Sequence, residues 1–377
     1  KGNMRFCVPC LFGVEGLVAQ ELRDMGLEQV QAENGRVLFS GGWEAMVRAN
    51  LCGRFGERVL LLLGEFPARS FEELFQGVKA LPWEGLLGKE DAFPVTGSSL
   101  SSQLHSVPDC QAIIKKAIVE RLKAKYKLSW FAESGALHRV RFRILKDQVS
   151  VLVDTSGEGL HKRGYRALSN DAPMKETLAA SLCQLSRLRQ DGHLIDPFCG
   201  SGTILIEGAL LARNIAPGLG RAFTAESWGS VPGQLWQQER ERARSLERRD
   251  PGFTAQGFDV DPAAVELTLA NAQKAGVGDC ITASVRDVRD FTQEGAYGCV
   301  VCNPPYGERL LDVRQAQELY RALGQVFQPR RGWSLGVISP DPEFESLFGR
   351  KADKRRKLYN GIIQCQYYQY FRGSDKR

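Results

Sequence analysis

The sequence Asn303-Pro304-Pro305-Tyr306 combines residue types that can bind and present an exocyclic amine. Two consecutive prolines hold the backbone extended and rigid. The amide oxygen of Asn303 and the carbonyl oxygen of Pro304 can then accept the two N–H bonds of such an amine, which leaves the nitrogen lone pair free to attack an electrophilic carbon. Tyr306 offers an aromatic face for stacking a base. An ordinary proline turn is the alternative, but the position at the end of a predicted strand favours a catalytic role for all four residues.

A second motif lies at residues 193–207, where a strand ends at Asp196, a glycine turn follows and a helix begins at Thr203. Glycines let a ligand approach the backbone closely, and the first helical turn has free N–H groups. The same turn could hold the pyrophosphate of a dinucleotide, or no ligand at all. However, the spacing is not Gly-x-Gly-x-x-Gly, and a carboxylate suits the ammonium of a methionine moiety better than a phosphate. The predicted cofactor-binding residues of this motif are Asp196, Phe198, Cys199, Gly200, Ser201, Gly202 and Thr203.

Acidic residues also mark the ends of the next two predicted strands. Asp259 ends the strand at residues 255–259, where a carboxylate can accept both hydroxyl groups of a ribose. Asp261 fits the N-cap of the following helix, which has Pro262 in its first turn. Asp287 follows the strand at residues 281–286 and is placed to accept the exocyclic amine of an adenine, although an acid there is usually a cap.

Regular alternation of strands and helices after residue 170 positions these motifs. The predicted strands are residues 194–196, 255–259, 281–286, 299–303 and 333–339, and the predicted helices are residues 203–214, 262–275 and 313–327. This alternation predicts a doubly wound parallel sheet. Two last strands around an Asn360-Gly361 turn predict an antiparallel hairpin at the sheet edge. A Rossmann-like α/β fold with a terminal antiparallel hairpin is characteristic of methyltransferases that use S-adenosyl-L-methionine. A polar helix at residues 233–249 resembles an insertion between the first two strand–helix units.

The first 165 residues have a mixed α+β pattern. Short predicted strands and helices within residues 5–64 suit a ferredoxin-like unit. Residues 66–165 contain predicted helices at 71–80 and 109–126 and predicted strands near 92–98, 139–145 and 148–154. We therefore predict three domains, at residues 1–65, 66–165 and 166–377.

The motifs resemble those of a known family. DPFCGSGTILIE at residues 196–207, together with NPPYGERL at residues 303–310, resembles methyltransferases that act on exocyclic amines. Residues 153–166 and 171–179 resemble THUMP-domain RNA methyltransferases, in particular the bacterial guanine-N2-methyltransferases of large-subunit ribosomal RNA. Residues 7–26 are similar to the ferredoxin-like segment of that family, so that the resemblance covers the whole chain and assigns residues 66–165 to a THUMP domain.

The resemblance implies methyl transfer from S-adenosyl-L-methionine to the exocyclic N2 of a guanine in large-subunit ribosomal RNA. Protein-free RNA or an assembly intermediate would be the substrate. Asp196, Gly200 and Gly202 would line the methionine part of the cofactor. Asp259 would hold the ribose and Asp287 the adenine, while Asn303 to Tyr306 would hold the target amine with Asn303 also near the cofactor. Some family members carry a second, fused methyltransferase domain, and its activity is expected to be absent because this chain ends at Arg377.

One further segment, just before the first strand of the sheet, matches the part of the family that closes over the cofactor. An ordinary helix start with solvated charges is the alternative interpretation. The segment consists of Lys175, Glu176 and Thr177.

Basic residues concentrate in the middle of the chain. The whole chain has a net charge of 50 − 44 = +6, but residues 112–166 alone carry 13 Lys and Arg against 5 Asp and Glu. Such a patch is the electrostatic footprint of a polyanion, although a solvated face is the alternative. Helical spacing groups three lysines if the helix extends far enough, and strand alternation places three arginines on one face. The predicted RNA-binding residues are Lys116, Lys123 and Lys127 (the lysine set), Arg139, Arg141 and Arg143 (the arginine row), and Lys162, Arg163 and Arg166.

Other features exclude several classes of protein. No apolar run approaches the 18 residues of a membrane span, and no secretory leader is evident. Ten cysteines are too few for a disulfide scaffold, so a cytoplasmic location is expected. Two Cys-x-x-Cys pairs, Cys7/Cys10 and Cys299/Cys302, lie on or at the end of predicted strands, where odd spacing sends the side chains to opposite faces. We therefore expect no bound metal.

Two other functions remain open from the residues. An adenine-N6 DNA methyltransferase is the first, because Asn-Pro-Pro-Tyr serves adenine as well as guanine. A non-catalytic RNA-binding assembly factor that retains the fold is the second. The THUMP resemblance disfavours the first, and the intact motifs at residues 196–203 and 303–306 disfavour the second.

Overall fold

The computed structural model describes residues 3–166, 174–307, 310–328 and 330–371. Backbone contacts divide the chain into two compact units. The first unit comprises Lys1–Cys10, Val18–Leu160 and Ala222–Arg242, and the second comprises Leu11–Leu17, His161–Arg221 and Ala243–Arg377. Among the described residues, each unit contains one seven-stranded sheet.

The first sheet contains strands from both predicted front domains. Its strands are β1 (Met4–Pro9), β2 (Glu28–Glu33), β3 (Arg36–Gly41), β4 (Leu60–Pro67), β5 (Val95–Leu100), β6 (Val140–Leu145) and β7 (Gln148–Asp154). Their spatial order is β2-β3-β1-β4-β7-β6-β5, and only β5 and β6 pair in parallel. Because β4 pairs along its length with β7, the sheet continues across the boundary predicted between residues 65 and 66.

The front region contains four α-helices among the described residues, and the last two agree closely with those predicted at residues 71–80 and 109–126. The four are α1 (Glu15–Asp24), α2 (Trp43–Cys52), α3 (Phe71–Lys79) and α4 (Val107–Tyr126). Helix α4 begins after Ser106, whose hydroxyl accepts the N–H of Asp109, and it has a proline in its first turn. It ends at Tyr126 because Lys127 adopts a left-handed conformation with φ +56°. Its buried stripe of Ile114, Ile118 and Leu122 is the one that the sequence predicts.

The second sheet has five parallel strands followed by an antiparallel hairpin. Its strands are β8 (His193–Asp196), β9 (Thr254–Asp259), β10 (Ile281–Val285), β11 (Gly298–Cys302), β12 (Trp333–Ser339), β13 (Lys354–Asn360) and β14 (Ile363–Phe371). The helices that follow α4 along the chain are α5 (Glu176–Leu185), α6 (Thr203–Ala212), α7 (Gln234–Ser245), α8 (Pro262–Lys274), α9 (Leu310–Val326) and α10 (Phe344–Phe348). The spatial order is β10-β9-β8-β11-β12-β14-β13. The predicted Rossmann-like fold with a terminal hairpin is therefore confirmed.

This strand order brings the chemical motifs together. Strands β8 to β12 are parallel, so the carboxyl ends of the four neighbours β10, β9, β8 and β11 lie at one edge of the sheet. Buried side chains such as Phe258, Val300 and Tyr320 fix one face of the sheet against α9 and α10. A ligand site at this edge follows the general rule for open α/β sheets.

The helix that the sequence predicts at residues 233–249, as an insertion between the first two strand–helix units, is α7 (Gln234–Ser245), and residues 222–242 pack within the first unit. The ring of Trp228 stacks on His138 at a centroid distance of 4.4 Å, and its Nε1 donates to the carbonyl of Leu137 at 2.8 Å. On α7, the carboxylate of Glu239 accepts two hydrogen bonds from Arg48, at 2.9 and 3.0 Å. The insertion thus belongs to the front unit by its contacts. Within the described residues, no helix has the length and apolar character needed to cross a membrane.

Candidate active site

The glycine turn after β8 requires the two glycines that the sequence singled out. Gly200 and Gly202 have φ values of +53° and +85°, a region that other L-residues rarely adopt. A Cβ atom on Gly202 would also lie 2.8 Å from the side chain of Thr268 on α8. The N–H of Gly200 donates to Asp259 Oδ2 at 3.0 Å. The turn is therefore held against the end of β9, and the start of α6 faces the carboxyl edge of the sheet.

Asp196, the last residue of β8, is a buried carboxylate. It is 1% exposed, and one of its oxygens accepts the N–H of Phe198 at 2.9 Å. Burial raises the pKa of Asp196 to about 7, opposed by that hydrogen bond and reinforced by the charge of Asp259. A cationic ligand group beside it would favour the ionised form. The buried carboxylate of Asp196 can therefore accept hydrogen bonds from the ammonium of S-adenosyl-L-methionine and balance its charge.

The two acids at the end of β9 have different partners. Asp259 is half-buried, and its oxygens accept the N–H groups of Gly200 and Asp261 at 3.0 and 2.9 Å. Asp261 caps α8 by accepting the N–H of Ala263 at 2.9 Å. Since Asp259 is fixed by backbone donors and its carboxylate remains partly exposed, it has acceptor capacity for ribose hydroxyl groups.

Asp287 follows β10 and has partners of its own. Its carboxylate caps a short 3₁₀ turn by accepting the N–H of Arg289 at 2.9 Å, and it also accepts the Arg289 guanidinium at 3.1 Å. The cap interpretation therefore describes the observed contacts. The adenine contact of Asp287 stays a prediction.

The amide oxygen of Asn303 is the unusual atom of the site. It is buried, and no group in the described parts of the chain donates a hydrogen bond to it. Pro304 is also buried, Pro305 is exposed, and the hydroxyl of Tyr306 accepts a hydrogen bond from Asn360 Nδ2 at 2.8 Å. Buried polar atoms normally have partners, so an acceptor without one at the end of β11 indicates a position for a donor on a ligand.

The segment at the start of α5 has mixed surroundings. Lys175 is exposed at the N-cap, whereas Glu176 is buried and accepts a hydrogen bond from Arg166. Burial raises the pKa of Glu176 to about 7, and the charge of Arg166 opposes that shift. Thr177 Oγ1 is buried without a partner among the described residues. Thr177 is consequently the member of this segment with a vacant polar atom for a cofactor.

The prediction that Arg163 binds RNA is wrong, because its side chain is not at the surface. Its side chain is 2% exposed and donates to Glu207 Oε1 of α6 at 2.8 Å. The Tyr165 hydroxyl donates to the other oxygen of Glu207 at 2.7 Å. A basic residue within a charged segment looks like a surface residue, but here its charge is neutralised inside the second unit. Lys162 is exposed, and Arg166 is half-buried against Glu176.

The remaining basic residues lie on the first unit. In the arginine row, Arg139 is exposed and Arg141 and Arg143 are half-buried, while the residues alternating with them along the strand are buried as predicted. Arg141 is paired with Asp154 at 3.3 Å. In the lysine set, Lys116 lies on α4, Lys123 lies 3.5 Å from Glu120, and Lys127 lies beyond the last helical residue. The helix therefore stops short of Lys127, and the shared face extends only over the first two lysines.

The described residues contain no group of three side chains arranged to hold a metal ion. Cys7, Cys10, Cys299 and Cys302 are all buried, and none of them forms a disulfide in the structure. Burial raises the pKa of Cys302 well above its ordinary value, and the charge of Asp196 adds to that shift.

Two groups near the site were missed by the sequence reasoning. Glu207 anchors Arg163 and Tyr165, and Asn360 contacts Tyr306 from the terminal hairpin. The Asn-Gly turn signal identified the hairpin, but only the three-dimensional structure shows that Asn360 near its tip donates a hydrogen bond to Tyr306.

Family models match three consecutive parts of the chain. The RlmL ferredoxin-like domain matches residues 5–60, the THUMP domain matches residues 68–154, and the RMKL-like methyltransferase domain (UPF0020) matches residues 163–369. The last match covers more than half of the chain.

Two relatives align along nearly the whole chain. YpsC of Bacillus subtilis, named a candidate RNA methyltransferase, is 44% identical over 361 residues, which cover 95% of this chain and 94% of that protein. The ribosomal RNA large subunit methyltransferase K/L of Psychromonas ingrahamii is 35% identical over 382 residues. The chain spans 51% of the length of that second relative.

Solved structures with high identity share the architecture and include one with a cofactor product. A Listeria monocytogenes protein, described as a predicted N6-adenine-specific DNA methylase, superposes with a TM-score of 0.94 at 44% identity over 98% of this chain and 96% of that chain. SMU.472, described as a candidate methyltransferase complexed with SAH, has a TM-score of 0.94 at 41% identity over the whole of both chains. With the strand order and the acids at the carboxyl edge, these matches show that the chain belongs to the RMKL-like, THUMP-containing family of S-adenosyl-L-methionine-dependent methyltransferases.

Proposed function

We propose that the protein transfers the methyl group of S-adenosyl-L-methionine to the exocyclic N2 of a guanine in large-subunit ribosomal RNA in the cytoplasm. The observation that supports this most directly is the buried amide oxygen of Asn303, which has no donor in the described parts of the chain. An exocyclic amine supplies such a donor. The names of the Bacillus and Psychromonas relatives favour RNA and the large subunit, respectively.

The chain's own groups orient the amine. Asn303 Oδ1 and the carbonyl of Pro304 accept its two N–H bonds and direct the lone pair out of the plane. As the new bond forms, the nitrogen gains positive charge, so both hydrogen bonds strengthen in the transition state. When bound, the cofactor supplies a methyl group on a sulfonium. After the transfer the nitrogen carries a positive charge, which makes its N–H acidic, and a proton is then lost to solvent. A strong general base is therefore unnecessary, and positioning supplies much of the rate.

The front half supplies RNA affinity in this proposal. Residues 1–65 and 66–165 form the ferredoxin-like and THUMP parts, and residues 166–377 form the catalytic part. The exposed Arg139 and Lys116, with the half-buried Arg143 on the same strand face as Arg139, are placed on the surface to contact phosphates. Protein-free RNA or an assembly intermediate exposes a guanine that a mature subunit can cover.

The test is methylation of protein-free large-subunit RNA from a strain that lacks the protein, with labelled S-adenosyl-L-methionine and nucleoside mass spectrometry. We expect N2-methylguanosine with the wild type and, at the same early time point, much less of it with Asn303→Ala. Duplex DNA serves as the parallel substrate, because the description of the Listeria structure favours adenine-N6 methylation of DNA as the second candidate. Label in N6-methyladenine of the DNA, with none in the RNA, would replace our proposal with that one.

A further inference from the structure

The tip of the terminal hairpin exposes an isoleucine that has no role in the fold. Strands β13 and β14 pair from Lys354 to Asn360, and the pair of Asn360 with Ile363 leaves Gly361 and Ile362 as a two-residue turn. Gly361 has φ +63°, which suits a glycine at the first turn position. Ile362 occupies the second position and is 98% exposed. Its side chain therefore gains nothing from burial in the described protein.

This tip is attached to the catalytic segment. Asn360, the last residue of β13, donates from Nδ2 to the hydroxyl of Tyr306 at 2.8 Å. Below the tip, the paired residues Leu358 and Cys365 are buried, and β14 continues the sheet next to β12. The hairpin thus extends the sheet and is fixed by its pairing with β12. Ile362 lies two residues along the chain from Asn360, which contacts Tyr306 of the proposed base site.

The charge of the hairpin indicates what covers the tip. Four consecutive basic residues form the first half of β13, at residues 354–357. Arg355 is paired with Glu345 at 3.2 Å, while Lys354 and Lys357 are exposed. An apolar side chain at the end of a basic arm complements the phosphates and the stacked bases of RNA. Proteins that open a stack use this combination of cationic contacts and an apolar wedge.

We propose that Ile362 is a wedge that fills the gap in the RNA stack left by the target guanine when that base turns out into the Asn303 site. This inference rests on the proposed function, because it requires a base that leaves a stack. Base extrusion is opposed by lost pairing and stacking, and an apolar group in the vacated space reduces that opposition. Ile362 is therefore a positioning residue, and its contribution depends on whether the guanine is paired at the start.

The test compares two short RNA stems built around the guanine that the wild type methylates in protein-free large-subunit RNA. In one stem the guanine faces cytidine, and in the other it faces an abasic position. Ile362→Ser should lower single-turnover kcat/KM about tenfold on the paired stem and less than twofold on the abasic stem. Ile362→Leu should restore the rate. Leu246→Ser, at another exposed position of the second unit, is the matched control and should behave as the wild type.

A second readout follows the base itself. With a 2-aminopurine–uridine pair in place of the target guanine–cytidine pair, the wild type should increase the fluorescence of the 2-aminopurine on binding and Ile362→Ser should increase it much less. Equal losses on both stems, or no loss on either, would overturn the wedge while leaving the methyltransferase intact. If the wild type methylates no guanine N2 in the RNA, the proposed function fails and the wedge fails with it. Thermal unfolding and cofactor affinity should not change, because Ile362 is exposed and does not contact the residues around Asp196.

Discussion

Replacing Asn303 by alanine should reduce activity without reducing stability. Replacement of a buried asparagine usually reduces stability as well as activity, because the side chain forms hydrogen bonds with other buried polar groups. The amide oxygen of Asn303, however, is buried and accepts no hydrogen bond within the described parts of the chain. Burial of an unsatisfied polar group costs about 1–3 kcal/mol. Its removal offsets the packing lost with the side chain, so the free energy of unfolding should stay within about 1 kcal/mol of the wild type.

The loss of activity follows from the hydrogen bond made in the transition state. Hydrogen bonds to charged groups contribute about 1.5–3 kcal/mol. At about 1.36 kcal/mol for each factor of ten, kcat should fall roughly 10- to 150-fold from that bond alone. Loss of the amine's orientation would add to this fall. The affinity for S-adenosyl-L-methionine should not change, since Asp196 and Asp259 keep their backbone contacts.

The assay combines single-turnover methyl transfer, calorimetric titration of the cofactor and chemical unfolding. Asn50→Ala is the matched control for stability, because Asn50 is buried with partners on both polar atoms: its Oδ1 accepts from Ser156 at 2.6 Å and its Nδ2 donates to Thr155 at 3.0 Å. That variant should lose about 1–3 kcal/mol. Asp259→Ala should show the complementary defect, weak cofactor binding. A comparable loss of stability in Asn303→Ala, or an unchanged kcat, would refute the vacant-acceptor reasoning.

Four further outcomes are expected. Arg163→Met should destabilise the protein by about 3–5 kcal/mol in thermal unfolding, because the buried carboxylate of Glu207 loses Arg163 as its ion-pair partner, whereas Lys162→Met should not. The folded-state pKa of Asp196, about 7, lies above its ordinary value of 3.8, so the share of stability due to this group is present below about pH 4 and is lost as the pH rises to 7. Cofactor affinity should increase over that range, and Asp196→Asn should flatten both profiles in calorimetry. Simultaneous alanine replacement of the lysine set should weaken RNA binding in filter assays and flatten its salt dependence by somewhat under one unit per lost phosphate contact, with the saturated rate unchanged. A zinc chelator should leave methyl transfer intact; stoichiometric zinc whose removal abolishes activity would contradict that.

Patterns over a few neighbouring residues were enough to predict the ends and the faces of the strands. The ends of the parallel strands could be read because Asp196 and Asp259 stand where apolar runs stop and a turn toward the next helix begins. The arginine row could be read because alternation along a half-buried strand has a period of two. Once the parallel sheet was predicted, its topology required the motifs to lie at one edge.

Contacts between distant segments could not be read in this way. Strand β2 carries no strand pattern in its sequence, because Glu-Gln-Val-Gln-Ala-Glu is mostly polar and exposed at the edge of the first sheet. The packing of residues 222–242 on the first unit depends on Trp228 meeting His138, a pair separated by 90 positions in sequence. Arg163 was assigned to the surface by its charge, since Glu207, its buried partner, lies 44 residues away.

The acid at the end of β8 and the amide after β11 match the charges of the two proposed ligands. The charge of Asp196 is felt as far as the thiol of Cys302, next to Asn303. A second carboxylate at position 303 would face this like charge in a poorly solvated place, and its own pKa would rise. Once protonated, it would present a donor where the amine needs an acceptor. The neutral amide of Asn303 accepts from an uncharged amine at any ordinary pH, whereas the charge of Asp196 is compensated only when a cationic group binds beside it. Binding of the cofactor therefore depends on compensation of the Asp196 charge, and recognition of the amine depends on the hydrogen-bond geometry of Asn303.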